Sequence, residues 1–218
     1  MKSLILLLVA VLICSGLASA AIVAATDDAY IRADSPETVY NEYQLITWTD
    51  YGTATGHSYL KFPMAGLPSF SQLQSATLNM YVWDVAGYLE TVNVHRATDD
   101  SWSETLINWN NAPVINDLIA SKNVGSYYTW GAPKWVSFDL LASGVWDYDS
   151  DRSDGYVTLT IKTAQNGDDA HHFYSKEENV AGDFAPYLEV LTIPEPTMMT
   201  LLVLGALIAP KRKLAGRR

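Results

Sequence analysis

The chain has 218 residues, with 24 Asp and Glu against 14 Lys and Arg, a net charge of −10 and a single cysteine, Cys14. Lys2 and five tail cations lie outside residues 21–193, so within that span eight cations face 23 acids, a net of −15. Such a surface repels nucleic acid and anionic membranes, and the span can form no disulfide or cysteine metal site.

The N-terminus carries Lys2, an apolar stretch from Leu4 to Ile13 and the small residues Ala18-Ser19-Ala20. This pattern predicts a secretory signal peptide over residues 1–20, cleaved after Ala20. Cys14 follows Ile13, where lipid attachment wants a small residue, so the reading is a cleaved signal rather than a lipid anchor.

Residues 21–193 are long enough for one domain, and their apolar residues recur with a period of two. Leu60 and Phe62 alternate with Tyr59 and Lys61; Ala76, Leu78, Met80 and Val82 alternate with Thr77, Asn79, Tyr81 and Trp83. Val92 and Val94, Val136 and Phe138, Val157 to Ile161, and Leu188 and Val190 continue the pattern. Alternation buries one face of a strand and wets the other, so about nine or ten short strands predict an all-β, antiparallel β-sandwich. One helical turn is expected at Leu140–Trp146, where Leu141 and Val145 stack one turn apart, with Gly144 weakening it.

Asp147, Asp149, Asp151 and Asp154 precede Gly155 with the look of a calcium loop. An EF-hand starting at Asp147 would need Gly where Arg152 stands and Glu where Thr158 stands. The run is therefore read as a solvated acidic turn, with a looser oxygen-ligand site left open.

After residue 193 come Pro194-Glu195-Pro196, an apolar run from Met198 to Ala209, and Lys211, Arg212, Lys213, Arg217 and Arg218. Thr197 to Pro210 would span about 21 Å as a helix, short of the roughly 30 Å of a bilayer core. The basic tail holds that end in the cytoplasm and the domain outside. Motif, short transmembrane segment and basic cluster, in that order, resemble the bacterial PEP-CTERM sorting signal over residues 194–218. The resemblance implies recognition by an exosortase-type enzyme, transient membrane insertion, and delivery to the cell surface or extracellular matrix.

Inside the domain, Trp102-Ser103-Glu104-Thr105 followed by Trp109-Asn110-Asn111-Ala112-Pro113 carries a second resemblance. Asp28-Ala29-Tyr30-Ile31, Ser58-Tyr59-Leu60-Lys61-Phe62, Ser75-Ala76-Thr77-Leu78 and Ala185-Pro186-Tyr187-Leu188-Glu189-Val190 flank it in order. Together they resemble the DNRLRE family, which overlaps carbohydrate-binding module family 96, over residues 27–192. The resemblance implies a jelly-roll sandwich acting as an accessory module, with acidic polysaccharide as ligand in some members. Lys61 stands where the family carries arginine, and Phe62-Pro63 replaces its Phe-Asp.

A domain at −15 opposes an acidic polysaccharide unless calcium bridges the two or the cations cluster. Arg32, Lys61, Arg96 and Lys162 are the candidates for such a cluster. Seven Trp and 13 Tyr supply flat rings for sugar faces. Tyr59, Lys61, Tyr81, Trp83, Arg96 and Trp135 are the expected carbohydrate-binding residues, provided their faces are solvent-exposed rather than covered by the loop over residues 99–133. Trp102 and Trp109 are expected to pin their own loop. Sandwich modules often clamp first and last strands with a structural calcium, for which Asp28 and Glu189 are the candidates by fold analogy. His172 and Tyr174 share a strand face, as a lyase would need, whereas His171 points the other way. No complete catalytic constellation accompanies them. The expectation is an exported, non-catalytic, polysaccharide-binding module without an obligatory cofactor. A structural or adhesive matrix protein is the alternative, and a polysaccharide lyase the third.

Overall fold

The computed structural model describes residues 19–50, 54–86, 91–124, 134–164, 169–178 and 183–193. Eleven strands are formed among them: β1 (Ala20–Ala24), β2 (Asp27–Arg32), β3 (Gln44–Asp50), β4 (Ala54–Pro63), β5 (Leu73–Ala86), β6 (Thr91–Ala97), β7 (Ile115–Asn123), β8 (Lys134–Asp139), β9 (Tyr156–Thr163), β10 (Asp169–Tyr174) and β11 (Tyr187–Thr192). One short helix, α1 (Tyr148–Asp154), precedes β9.

Every strand pairing is antiparallel, and all eleven join one curled sheet. One limb runs β2-β4-β9-β6-β7. The other is built on β5, whose 14 residues pair β8 along one edge and β11 then β10 along the opposite edge, with β1 outside β11. β3 joins the limbs, pairing β10 along its length and the start of β4 through Trp48 and Gly56. A Cβ at Gly56 would lie 1.8 Å from the Trp48 ring, so the joint needs glycine there.

Leu60, Phe62, Val94 and Leu159 of one limb share a single buried cluster with Leu78, Met80, Phe138, Phe173 and Leu188 of the other. The limbs therefore face one another over a common core, the arrangement of a β-sandwich. Each of these side chains contributes about 1.5–3 kcal/mol by leaving water. The alternating residues expected to point inward do so: Ala76, Leu78, Met80, Val82, Val92, Val94, Val157, Leu159, Ile161, Leu188 and Val190 are all buried.

The expected helix at Leu140–Trp146 is instead a turn. Gly144 adopts φ +68 and its N–H donates to Leu141 O at 3.1 Å. The helix lies one step later, over the acidic run. Asp147 caps it by accepting from Ser150 N at 3.3 Å, and Gly155 ends it at φ +102. Asp149 and Asp151 sit in its first turn and Arg152 in its last, each at the end of the helix dipole that favours its sign. The run is thus no free acidic turn: Asp151 is wholly buried.

Among the described residues no helix is long and apolar enough to cross a membrane. Cys14, most of the expected signal peptide, Pro194, Glu195, Pro196 and the apolar segment after them lie outside the described residues.

Candidate functional site

The two limbs treat their outer faces differently. On the first limb, Tyr59 and Lys61 point outward from β4, but the segment over residues 98–114 lies across them. Trp102 and Ile107 pack with Ala29, Ile31, Tyr59 and Ala97 into a second buried cluster, with Trp109 and Ile115 at its margin. Tyr59 is 1% exposed and donates to Pro113 O at 3.0 Å; burial pushes its phenol up to about 12. Lys61 donates to the carbonyls of Trp102 and Asp100 and pairs with Asp27 at 3.1 Å. Both residues, expected to touch sugar, are used instead to hold the loop down. Trp102 and Trp109 pin that loop as expected, Trp102 through its indole N–H to Thr158 Oγ1 at 2.8 Å.

The other candidate cations do not assemble into a basic cluster. Arg96 lies along buried Asp151, donating from Nε to its carboxylate at 2.8 Å, while Trp146 Nε1 donates to the same group at 2.7 Å. Arg96 is therefore a partner for a buried charge and not a free contact for glycan. Arg32 pairs with Asp34 at 2.6 Å and lies over the rings of Tyr40 and Trp48. Lys162 lies close enough to His57 and His95 to help depress both imidazoles.

The outer face of the second limb is different. Tyr81 and Trp83 alternate with buried Met80 and Val82 on β5, and Tyr174 stands beside them on β10. Tyr81 stacks on Tyr174 at 5.7 Å with an interplanar angle of 8°, and Trp83 stacks on Tyr174 at 6.1 Å. Trp135, cross-strand from Tyr81, meets it edge-on at 5.4 Å and meets Tyr187 of β11 at 5.3 Å. Phe184 lies on Tyr81 at 4.2 Å, and His172 meets Trp83 at 5.2 Å. The rings run unbroken across four strands, each half-buried except Trp135, which is 40% exposed. Charge nearby is acidic as well as basic: Glu178 bears on the Tyr174 phenol and Asp84 on His172, and Lys134 opens β8.

Of the six expected contacts, then, Tyr81, Trp83 and Trp135 come together and Tyr59, Lys61 and Arg96 stand elsewhere. Sequence reasoning placed Tyr174 only in a lyase and overlooked Tyr187 and Phe184. Tyr187 alternates with Leu188 and was open to the same period-two argument; Phe184 precedes β11 and has no such signal.

His171 and His172 do point to opposite faces, His171 being fully buried. Burial lowers the His172 imidazole from its ordinary value, which leaves it neutral near pH 7. Lys176, the cation nearest in sequence on that face, is bound to Glu104 at 2.7 Å and to Glu177. Asp28 and Glu189, expected to share a calcium clamp, belong to different limbs. Asp28 lies on β2 beside β4, whereas Glu189 lies on β11 between β1 and β5. Asp28 instead approaches Glu104 and Glu177.

A groove of about 470 Å³ separates the edges of β7 and β8, lined by Leu118, Ala120, Lys122, Ser137 and Phe138. Lys122 Nζ crosses it to Ser137 O at 2.8 Å. Its one aromatic lining residue, Phe138, is buried, so it lacks the exposed rings of the second-limb face.

A gellan lyase of Bacillus sp is 27% identical over 127 residues, which cover 54% of this chain but 5% of that protein. The chain thus spans about a twentieth of the curated relative it matches. Among solved structures, TmCBM61 in complex with β-1,4-galactotriose overlaps at 8% identity and a TM-score of 0.22, covering 81% of this chain and 84% of that one. The CBM22-1–GH10 modules of Clostridium thermocellum endo-1,4-β-D-xylanase 10B with xylohexaose overlap at 11% identity and 0.24, covering 73% and 29%. At such scores neither overlap adds to the fold read from the pairings. The family match is extensive: residues 19–192 fit the model of carbohydrate-binding module family 96, and the chain belongs to that family.

Proposed function

We propose that this chain is an exported, non-catalytic polysaccharide-binding module whose contact surface is the ring face of the second limb, centred on Tyr81 and Trp135. The observation that carries the reading is the unbroken run of rings, stacked or edge-on, on an outward sheet face, with Trp135 at its exposed end. Sugar C–H faces stack on such rings, and tyrosine and tryptophan add polar handles at low entropic cost. Family membership supports polysaccharide as the class of ligand. Ion pairing of Arg32, Lys61 and Arg96 with carboxylates favours neutral chains over acidic ones. A jelly-roll connectivity and kinship with DNRLRE proteins fit the same reading.

Export rests on Lys2, the apolar stretch to Ile13 and Ala18-Ser19-Ala20. Retention at the surface or in the matrix rests on Pro194-Glu195-Pro196, the apolar segment and the basic tail, a substrate for an exosortase-type enzyme. Cleavage after Ala20 would leave β1 with Ala21–Ala24.

Retention of the folded domain on a panel of insoluble and gel-embedded polysaccharides, gellan and galactan and xylan among them, tests the binding. Retention on at least one polymer, weakened in Trp135→Ala, is expected. Uniform lack of retention would favour the structural or adhesive alternative, and new ultraviolet absorbance from unsaturated uronate would favour a lyase. Fractionation of cells carrying the full chain tests export, a cytoplasmic full-length product being the adverse result.

A further inference from the structure

Asp28 is 1% exposed, and only one of its carboxylate oxygens is accounted for. Oδ2 accepts from the Lys176 backbone N–H at 2.8 Å, whereas Oδ1 is buried with no hydrogen-bond partner. Oε2 of Glu177 is likewise buried and unpartnered. Glu104 closes the group, its Oε2 accepting from the Asp28 N–H at 3.2 Å. One oxygen from each of Asp28, Glu104 and Glu177 lies within 4.8 Å of the other two. Oxygens this close need draw in by only a few tenths of an ångström for one ion to reach all three at the ~2.3–2.6 Å of calcium.

A buried carboxylate oxygen without a donor costs free energy unless a proton or a cation meets it. The cluster therefore calls for positive charge. Lys176 supplies part of it, its ammonium reaching Glu104 and Glu177. Three carboxylates less one ammonium leave two negative charges, which a divalent ion balances. The adjacent Asp27 does not add to the excess, because Lys61 pairs with it.

We propose that Asp28, Glu104 and Glu177 hold a divalent cation, and that the ion is calcium. All three ligands are hard oxygens, with no histidine or cysteine among them, which disfavours zinc and copper. Three side chains in irregular surroundings suit the six to eight flexible ligands of calcium better than the strict octahedron of magnesium, with water and backbone carbonyls completing the shell. The ion would tie three separate pieces together: β2, the segment over residues 98–114 through Glu104, and the turn after β10 through Glu177. Tyr174 stands three residues before Glu177, so the same bond fixes one edge of the ring face.

Calorimetric titration of the metal-stripped domain with calcium chloride is the direct test, with melting followed by circular dichroism in calcium and in EDTA. We expect one saturable site per chain and a melting temperature higher by roughly 5–10 °C at a hundredfold excess over Kd. Glu177→Gln is expected to weaken calcium binding at least tenfold and to cut the shift by about half or more, while leaving the fold formed in EDTA. Folded wild-type domain that takes up no calcium at millimolar concentration, or an unchanged Kd in both Glu177→Gln and Glu104→Gln, would overturn the proposal. None of these readouts involves a polysaccharide, so failure here leaves glycan binding to its own test.

Discussion

The Lys61 ammonium stands 4.9 Å from the centre of the Trp102 ring and donates to the Trp102 carbonyl, so one cation both stacks on that residue and holds its backbone. Asp27, at 3.1 Å, supplies the counter-charge. This clamp closes the first limb's outer face. Lys61→Met would leave Asp27 with the Glu104 N–H but no counter-charge, and would take the ammonium from two loop carbonyls. The expected loss is about 2–4 kcal/mol, read by urea unfolding, with polysaccharide retention of the folded protein unchanged. A stability within experimental error of wild type would show that the loop is held by apolar packing alone.

Arg96 and Asp151 form the second structural ion pair, and Asp151 is the more buried partner, with side-chain exposures of 19% and 1%. Arg96→Leu would strand a carboxylate whose one remaining side-chain donor among the described residues is Trp146 Nε1. Destabilisation of about 3–5 kcal/mol is expected, whereas removing both charges together in Arg96→Leu/Asp151→Leu should cost less. A double variant worse than the single one would refute this account.

Trp135 and Tyr81 separate binding from stability. Trp135 is 40% exposed, so Trp135→Ala should shift the unfolding midpoint little while lowering polysaccharide affinity about tenfold, the effect of a contact worth roughly 1.4 kcal/mol. Tyr81 touches Tyr174, Phe184 and Trp135, so Tyr81→Ala should reduce both. Affinity electrophoresis beside urea unfolding distinguishes the two patterns. Equal binding by wild type and both variants would remove the ring face from consideration.

His57 makes stability depend on pH. Burial, helped by the charge of Lys162, pushes its imidazole from about 6.5 down to about 3. Between those values the unfolded chain binds a proton that the folded chain refuses, so stability is full above about 6.5 and falls as pH drops. One pKa unit corresponds to about 1.4 kcal/mol, which gives a loss of about 2 kcal/mol at pH 5. His95 and His172, also lowered by burial, act in the same direction. His57→Phe should flatten the change in urea midpoint between pH 7 and pH 5; an unaltered slope would assign the effect to other groups.

The strands with strict alternation were legible because burial of one face leaves a period of two that nothing else imitates. β1, β3 and β7 were not, for physical reasons. β7 is an edge strand whose residues are mostly exposed, and β1 overlaps the small residues of the signal. β3 mixes Thr47 and Thr49 with apolar neighbours because it bridges two limbs. The helix over the acidic run was open to a capping argument, Asp147 before it and Gly155 after it, that the count of carboxylates obscured. The site was half legible. Alternation puts Tyr59 and Tyr81 outward with equal force, and only the path of the loop decides which one meets water. The three carboxylates around Asp28 come from positions 28, 104 and 177, and no spacing rule links them.

β1 and β11 are antiparallel neighbours, and the Thr192 N–H donates to Ser19 O at 3.0 Å, so chain entry and exit leave the domain side by side. Tension applied between these ends would load the rungs one at a time, as a zipper is opened, rather than all together in shear. β1 is gripped along one edge only, whereas β11 is gripped along both and fastened once more where Ile193 N–H meets Gln72 O at 2.8 Å. The entry strand would therefore peel away first under such a pull, and the chain beyond residue 193 would stay fastened to the body that carries the rings.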